Sequence, residues 1–441
     1  NDKPAIKTTT TITNKYPTFR NEPFGTVYRW LQGKRVDDNA EGLWRIHDGI
    51  YDLTDFIDKH PGGKFWLEYT RGTDITEAFE THHITEKAEN LLPKFKVRDA
   101  EKPRTVKLTF HNDGFYRTLK RNVREVYKDL DKSPIRQSKL IHDSLLVMTF
   151  ICAFLTVKTH SLIFATLSGL FLTWTIISAH NFFHQRDNWR MYTFNLAFFS
   201  YREWRISHAM SHHLYTNSVL DLEMSFFEPF LSWLPDPKRK NLFKRYGSWI
   251  YGPIIYTLLY KAELLKRFVN LVFRGKNTMY KDELISLILP IFMITCDSSN
   301  IFLMLKYWII IVTIGSFIFS LIGLNAAHHT PDIVHAGDHI PENVDFGIYQ
   351  LETVMDRSDT RGSLFLVLTH FGDHGLHHLF PTIDHSLLPK LYPVFWKTCE
   401  QFNATLRDCS FLHHIIGQNL QLARIEPKEY VPFKKSKNLV S

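Results

Sequence analysis

The chain has 441 residues, a formal net charge of +8 and an aromatic fraction of 14%. This length predicts two or three domains. The four cysteines form no CxxC pair, which argues against a disulfide framework and favours a reducing compartment. No basic block is combined with a recognisable nucleic-acid-binding motif, so the charge does not indicate a nucleic-acid partner.

The charge is distributed unevenly along the chain. Residues 37–90 carry thirteen acidic and five basic side chains, a net charge of −8, which leaves +16 on the remainder. An acidic unit attached to a basic body predicts electrostatic docking, either between these two parts or with outside partners.

The first 140 residues are polar and divide into three parts. Residues 1–35 are rich in Thr, Pro and Lys, which predicts a polar leader with little structure. Residues 36–100 are predicted to form a small globular unit, and residues 101–140 a linker followed by an amphipathic helix. The helix is indicated by apolar residues at helical spacing: Phe115, Leu119, Val123, Val126 and Leu130. Such a helix lies either on a membrane surface or against a protein core.

Two pairs of apolar segments predict two transmembrane hairpins. The first pair is Ser144–Val157 and Ser161–Ala179, and the second is Leu284–Cys296 and Ile301–Leu324. A further apolar segment, Trp249–Tyr260, is short for a span and is interpreted as re-entrant or interfacial. The loop between the hairpins is basic, whereas the turns within them carry few charges. The positive-inside rule then places the N-terminus, this loop and a C-terminal tail, residues 401–441, in the cytosol.

A haem-binding motif occupies the acidic unit. His60-Pro61-Gly62-Gly63 follows a Trp44–Phe56 segment and precedes Gly72–Phe79 and the pair His82-His83. Pro61 restricts the residue before it and the glycines allow a sharp turn, so His60 is held on a rigid backbone. This pattern resembles cytochrome b5. The resemblance implies an α+β haem domain whose haem b is held by His60 and His83, with His82 as the competing second ligand.

Histidine boxes dominate the rest of the chain. They are His180–His184, His208–His213, Asn325–His329 and His374–His378, and three of the four begin within a few residues of an apolar or aromatic-rich segment. Histidines four apart share one face of a helix and can point at a common metal. Imidazole suits iron, zinc and copper, so four such boxes together indicate a metal centre.

The boxes resemble those of the integral-membrane fatty-acid desaturase and hydroxylase family. The resemblance implies an all-α multi-span membrane domain over residues 141–400 that binds two non-haem iron ions. Carried over by motif, the metal residues are His180, His184, His208, His212, His213, Asn325, His329, His374, His377 and His378. Asn325 would act through water, and His328 competes with His329. As a whole, the chain resembles the cytochrome-b5-related proteins, a divergent branch with the same arrangement.

Two departures from the family pattern affect what can be transferred. The third box begins with His374 where many fused members have Gln, and three residues separate His208 from His212 where fused members usually have two. These differences weaken the transfer of substrate choice more than that of the metal site.

The resemblance implies O2-dependent desaturation of a fatty acyl lipid at the di-iron centre. The fused haem would supply the electrons, received from an NADH-dependent flavin reductase, at the endoplasmic reticulum membrane. An acyl-lipid hydroxylase on the same site and a non-catalytic membrane haem electron carrier are the alternatives.

Overall fold

The computed structural model describes residues 7–22, 26–273 and 280–431, except for the side chains of residues 270, 271 and 273. The ends of the predicted leader and tail lie outside these ranges. The architecture is a small α+β domain followed by a largely helical domain, which confirms the predicted fold class.

The predicted leader contains more structure than its composition indicates. Strand β1 (Thr8–Thr9) pairs with a strand formed by Ile340–Pro341, and helix α1 spans Val27–Asp38. Trp30 and Leu31 are buried, and the Trp30 indole donates to the Leu220 carbonyl at 3.0 Å. A few apolar residues that find partners far along the chain therefore order a segment that is polar on average.

The small domain is built on a three-stranded antiparallel sheet in the order β2-β3-β4. Its elements are β2 (Trp44–Ile46), β3 (Gly49–Tyr51), α2 (Phe65–Thr70), α3 (Thr76–His82), α4 (Lys87–Leu91) and β4 (Lys96–Asp99). Trp44, Leu67 and Phe79 are among the buried residues of its separate apolar core.

The amphipathic helix α5 (Phe115–Lys128) packs between the two domains, as the second of its two interpretations predicts. Its apolar face is buried, with Phe115, Leu119 and Val123 at most 1% exposed. Its basic face contacts acidic residues of the small domain: Lys120 lies 3.1 Å from Glu80 and 3.0 Å from Glu89. The acidic small domain thus forms ion pairs with a basic helix of the same chain.

The large domain begins with two long apolar helices, continues through shorter elements and then forms a third long helix. These are α6 (Ile135–Thr159), α7 (Leu162–Phe183), α8 (Tyr201–Trp204), a π-helix (Arg205–His212), α9 (His213–Tyr215), α10 (Ser248–Tyr256), α11 (Leu259–Phe273), α12 (Ile288–Cys296) and α13 (Ile301–Leu324). A second π-helical turn, Phe243–Gly247, precedes α10.

Three of these helices, α6, α7 and α13, are long and apolar enough to cross a membrane among the described residues. The predicted apolar segment Leu284–Cys296, the first half of the second hairpin, is divided between a 3-10 segment, Lys281–Leu287, and the short helix α12. The two predicted hairpin turns nevertheless lie side by side, because Lys158 donates to the Cys296 carbonyl at 2.8 Å and Tyr307 to the His160 carbonyl at 2.8 Å. The Trp249–Tyr260 segment is shared by α10 and α11 and leaves Ile250 79% exposed.

The C-terminal third closes over the ends of the long helices. It comprises β5 (Ile340–Pro341), α14 (Phe346–Thr353), β6 (Met355–Arg357), α15 (Leu364–Thr369), α16 (His374–Leu379), α17 (Tyr392–Phe402), β7 (Arg407–Cys409) and α18 (Phe411–Ala423). Strands β6 and β7 pair in parallel, so much of the predicted tail is folded against this domain.

Candidate haem and metal sites

The structure brings His60 and His83 opposite each other. Their ring centroids are 6.1 Å apart and the rings are nearly perpendicular. Each Nδ1 is engaged by a nearby carbonyl, that of Gly63 for His60 (2.9 Å) and that of Phe79 for His83 (3.0 Å), and neither Nε2 has a hydrogen-bond partner among the described residues. Two metal–nitrogen bonds of about 2.0 Å, together with the distance from each nitrogen to its ring centroid, come close to this spacing.

Both imidazoles are suited to metal binding because burial favours their neutral form. Burial lowers the pKa of His60 and, despite a hydrogen bond to the Phe79 carbonyl, lowers the pKa of His83 to about 4. His82 points elsewhere, with its ring 5.5 Å from that of Trp66. A haem held by both of these histidines would have no coordination site left for O2, which would favour electron transfer.

Five histidines of the large domain converge in a first group: His180, His184, His208, His213 and His377. The Nε2 atom of His180 lies 2.8 Å from that of His208 and 3.1 Å from that of His377. All five are buried, and the ligating nitrogens lie within 4.8 Å of one another.

Helix geometry explains how the first two boxes reach this group. His180 and His184 are one α-helical turn apart at the end of α7, with their Nε2 atoms 3.1 Å apart. The second box lies in the π-helix, where the His213 amide donates to the His208 carbonyl five residues earlier. This wider turn brings the Nε2 atoms of His208 and His213 within 3.0 Å, which accounts physically for the three-residue spacing of the box.

A second group contains His212, His328, His374 and His378. The Nε2 atom of His374 lies 2.8 Å from that of His328 and 3.1 Å from that of His378. The two groups adjoin, because the rings of His213 and His378 stack with their centroids 4.0 Å apart.

Hydrogen bonds among the histidines alone cannot account for these short nitrogen–nitrogen distances. An imidazole nitrogen carries either one hydrogen or one lone pair, yet the Nε2 atom of His180 has three such neighbours within 3.1 Å. Ligands at right angles around an ion, each about 2.1 Å from it, are about 3.0 Å apart. The donor set therefore fits one metal ion in each group.

Carboxylates and amides orient several of these rings from behind. The Nδ1 atom of His208 donates to Glu223 at 2.7 Å, that of His212 to Asp221 at 2.9 Å, and that of His378 to Gln350 at 3.1 Å. Such partners fix the ring and raise its basicity. Burial lowers the pKa of His212, but Asp221 and Glu223 outweigh it and raise the value to about 9.

The box Asn325–His329 differs from expectation in the histidine that it contributes. The structure brings His328, not His329, into the second group, while the His329 ring stacks on Trp233 with centroids 4.2 Å apart. Counting four residues from Asn325 assumes that the helix continues, but α13 ends at Leu324. The chain then turns and directs the preceding histidine inward.

Asn325 also lies outside both groups. It caps α13, where its Nδ2 donates to the Leu321 carbonyl at 2.7 Å and its buried Oδ1 has no partner among the described residues. His385, which no box contains, is buried with its ring 4.4 Å from that of His377. The sequence offered no signal that distinguishes His385, Asp221 or Glu223 from surface residues.

An apolar cavity of about 90 Å³ opens beside the second group. Phe319, Phe371 and Met224 contribute to its walls, and His208, His212, His328, His329 and His374 line it together with Glu223. A mostly apolar cavity beside a metal site suits a hydrocarbon chain.

Two family models match the chain in these regions. The model described as "Fatty acid desaturase" matches residues 159–410, more than half of the chain, and "Cytochrome b5-like Heme/Steroid binding domain" matches residues 31–101. The chain belongs to the fatty acid desaturase family. The opposed histidines thus lie in its cytochrome b5 domain and the two histidine groups in its desaturase domain. The first domain implies haem and the second implies iron.

Several similar proteins align with this chain over most of its length. "Cytochrome b5-related protein" of Drosophila melanogaster is 50% identical over 96% of this chain and 97% of its own length. "Acyl-lipid (8-3)-desaturase B" of Dictyostelium discoideum is 27% identical over 86% and 90%, and "Acyl-lipid (8-3)-desaturase" of Mortierella alpina is 21% identical over 92% and 99%. No solved structure matches the chain. The desaturase family and these relatives support an oxidoreductase of lipid metabolism.

Proposed function

We propose that this protein is a membrane desaturase that introduces a double bond into a fatty acyl chain, using O2 and electrons delivered through its own haem. The observation that carries the proposal is the convergence of nine buried histidines in two adjoining groups beside an apolar cavity. An acyl lipid is the substrate class, as the printed names of the desaturase relatives suggest.

The two histidine groups would each hold one iron ion, and His60 and His83 would hold haem b. His328 replaces His329 in the proposed ligand set, and Asn325 would act at most through water. Bound iron supplies the oxidising power that a methylene group requires, because its C–H bonds have no proton that a general base can remove. The walls of the cavity hold the chain against the second group and exclude water.

The reaction balances with two electrons from outside. The substrate gives up two hydrogen atoms, and O2 takes these together with two electrons and two protons to form two molecules of water. A haem held by His60 and His83 would supply these electrons one at a time, and would therefore be oxidised twice per double bond. We propose an NADH-dependent flavin reductase as the source of these electrons.

The proposed location is the endoplasmic reticulum membrane, with both termini in the cytosol. Two adjacent hairpin turns and the basic loop between the hairpins support this orientation. Single-cysteine variants at Ser298 and Ser441 should label from opposite sides of sealed vesicles, since Ser298 lies in the second hairpin turn. Labelling from the same side would show that this hairpin does not cross.

Product analysis combined with metal analysis tests the function. The purified chain, supplied with NADH, a flavin reductase, O2 and a saturated or monoenoic acyl lipid, should yield an unsaturated product and contain two non-haem irons beside the haem iron. A hydroxylated product would instead identify a hydroxylase. Haem iron alone, with no O2-dependent product, would leave an electron carrier, and zinc would contradict the proposal because it cannot change oxidation state.

A further inference from the structure

The haem-binding loop packs directly against the end of the first histidine box. A Cβ atom added to Gly63 would lie 2.8 Å from the Asp187 carboxylate, three residues beyond His184. Gly63 also has a φ of +103°, in the region that favours glycine. The absence of a side chain at this position therefore permits both the turn and the close approach of the two domains.

Arg205 connects the elements that meet at this contact. Its side chain is buried, and its guanidinium donates to Asp187 at 2.7 Å and to the Phe183 carbonyl at 2.9 Å. The same guanidinium lies over the Trp66 indole, 4.8 Å from its centroid. Arg205 also begins the π-helix that carries two of the proposed iron ligands, His208 and His212.

The other side of Trp66 leads to the haem ligands. The Trp66 ring lies 5.5 Å from that of His82, which immediately precedes the proposed ligand His83. The Nε2 atom of His82 is buried without a partner among the described residues. On the far side of Arg205, the Phe183 ring lies 4.9 Å from that of His184. Arg205, which contacts both the Trp66 ring and the Phe183 main chain, thus links the residue before His83 to the residue before His184.

Contacts elsewhere hold the haem domain in this one pose. Tyr116 of α5 donates to the Leu379 carbonyl at 3.0 Å, while Lys120 of the same helix binds Glu80 of the haem domain. Lys34 lies 2.9 Å from Asp38 and donates to the Tyr215 hydroxyl at 3.1 Å. Asp38 and Tyr215 are both buried.

We propose that Arg205 is a positioning residue that holds the haem domain, through Trp66, against the end of the first histidine box, so that electrons pass between the sites without release of the haem domain. The inference rests on the proposed function. Each passage oxidises one ferrous haem to the ferric state and reduces one ferric non-haem ion to the ferrous state. Because electron-transfer rates fall steeply with distance, loosening this contact slows the passage and leaves the chemistry beyond it unchanged.

Arg205→Lys in the full-length protein tests this role. Lysine keeps the charge but loses the planar fork that contacts Phe183, Asp187 and Trp66 together. After anaerobic reduction and mixing with O2 and an acyl lipid, reoxidation of the haem should be about tenfold slower than in the wild type, the scale of losing an outer contact at a metal site. The haem midpoint potential, the haem spectrum and the non-haem iron content should not change.

A second readout separates positioning from damage to the iron site. When all irons are reduced beforehand with dithionite, one round of product formation should be the same in Arg205→Lys and in the wild type. The matched control is Arg124→Lys, which alters another buried arginine of the domain interface, bound to Glu86 and the Ile84 carbonyl. Its haem should be reoxidised at the wild-type rate.

The outcomes are decisive in each direction. Wild-type reoxidation in Arg205→Lys, or equal slowing in both arginine variants, would overturn the assignment to Arg205. If Arg205→Lys loses iron, Trp66→Leu decides from the haem side: slowed reoxidation supports the proposal and an unchanged rate overturns it. A wild-type protein without non-haem iron would instead refute the proposed function, and the inference with it.

Discussion

The haem site and the histidine groups are built in opposite ways. His60 and His83 come from one contiguous segment, and each is oriented by a carbonyl three or four residues away. The histidine groups draw on four segments between residues 180 and 378, and several of their rings are oriented by residues far along the chain. A site built from one short segment can be predicted from a sequence motif. The ligands of a site built from several segments depend also on where each helix ends.

Removal of an iron ligand should have the largest effect. His180→Ala and His377→Ala each delete a nitrogen from the crowded first group. Non-haem iron content or product formation should fall by orders of magnitude, since changes even to outer contacts cost roughly tenfold to a hundredfold. Metal analysis beside the haem spectrum measures this, and the spectrum should not change. A parallel loss of haem would show that the two sites do not fold independently.

Removal of a haem ligand should produce the reciprocal loss. His60→Ala should abolish the six-coordinate haem spectrum and NADH-driven turnover while the non-haem iron remains. His83→Ala should act in the same way, whereas His82→Ala should keep the spectrum because its ring faces Trp66. Absorption spectroscopy of the three proteins decides between the neighbours. Retention of haem by His83→Ala would show that His83 is not the second haem ligand.

The adjacent pair at the end of α13 sharpens the contrast between local and convergent sites. His328→Ala should lose non-haem iron, because its Nε2 lies 2.8 Å from that of His374. His329→Ala is the matched control and should retain the iron, because its ring stacks on Trp233. Iron content of the two purified variants is the measurement. The reverse result would restore the assignment that the spacing from Asn325 predicts.

Much of the architecture followed from sequence patterns, and the exceptions have physical causes. The haem motif and the apolar hairpins are contiguous, so their patterns are complete in short windows. The position of α1 depends on burial of Trp30 against a loop 190 residues further along the chain. The same holds for Asp221 and Glu223, whose function is visible only once His208 and His212 are placed beside them.

The smallest effect is expected at the charged interface that joins the two regions. Glu80 is buried and contacts Lys120, Arg117 and His47. Burial raises the pKa of Glu80, but hydrogen bonds and the cations outweigh it and hold the pKa well below its usual value. Its stabilising contribution is therefore complete above the ordinary carboxylate pKa and is lost only as the pH falls through the depressed value of the folded protein.

Glu80→Gln should accordingly destabilise the docked haem domain by about 3 kcal/mol, because it leaves buried cations without their partner. Glu86→Gln is the matched control: its pair with Arg124 has an acidic side chain that is 62% exposed, so the expected cost is below about 1 kcal/mol. Denaturant unfolding followed by haem absorbance measures both at neutral pH. Equal stabilities would mean that docking relies on the apolar face of α5 alone. In that event the uneven charge of the sequence would serve an outside partner, and the haem domain would be linked to the histidine groups chiefly by packing.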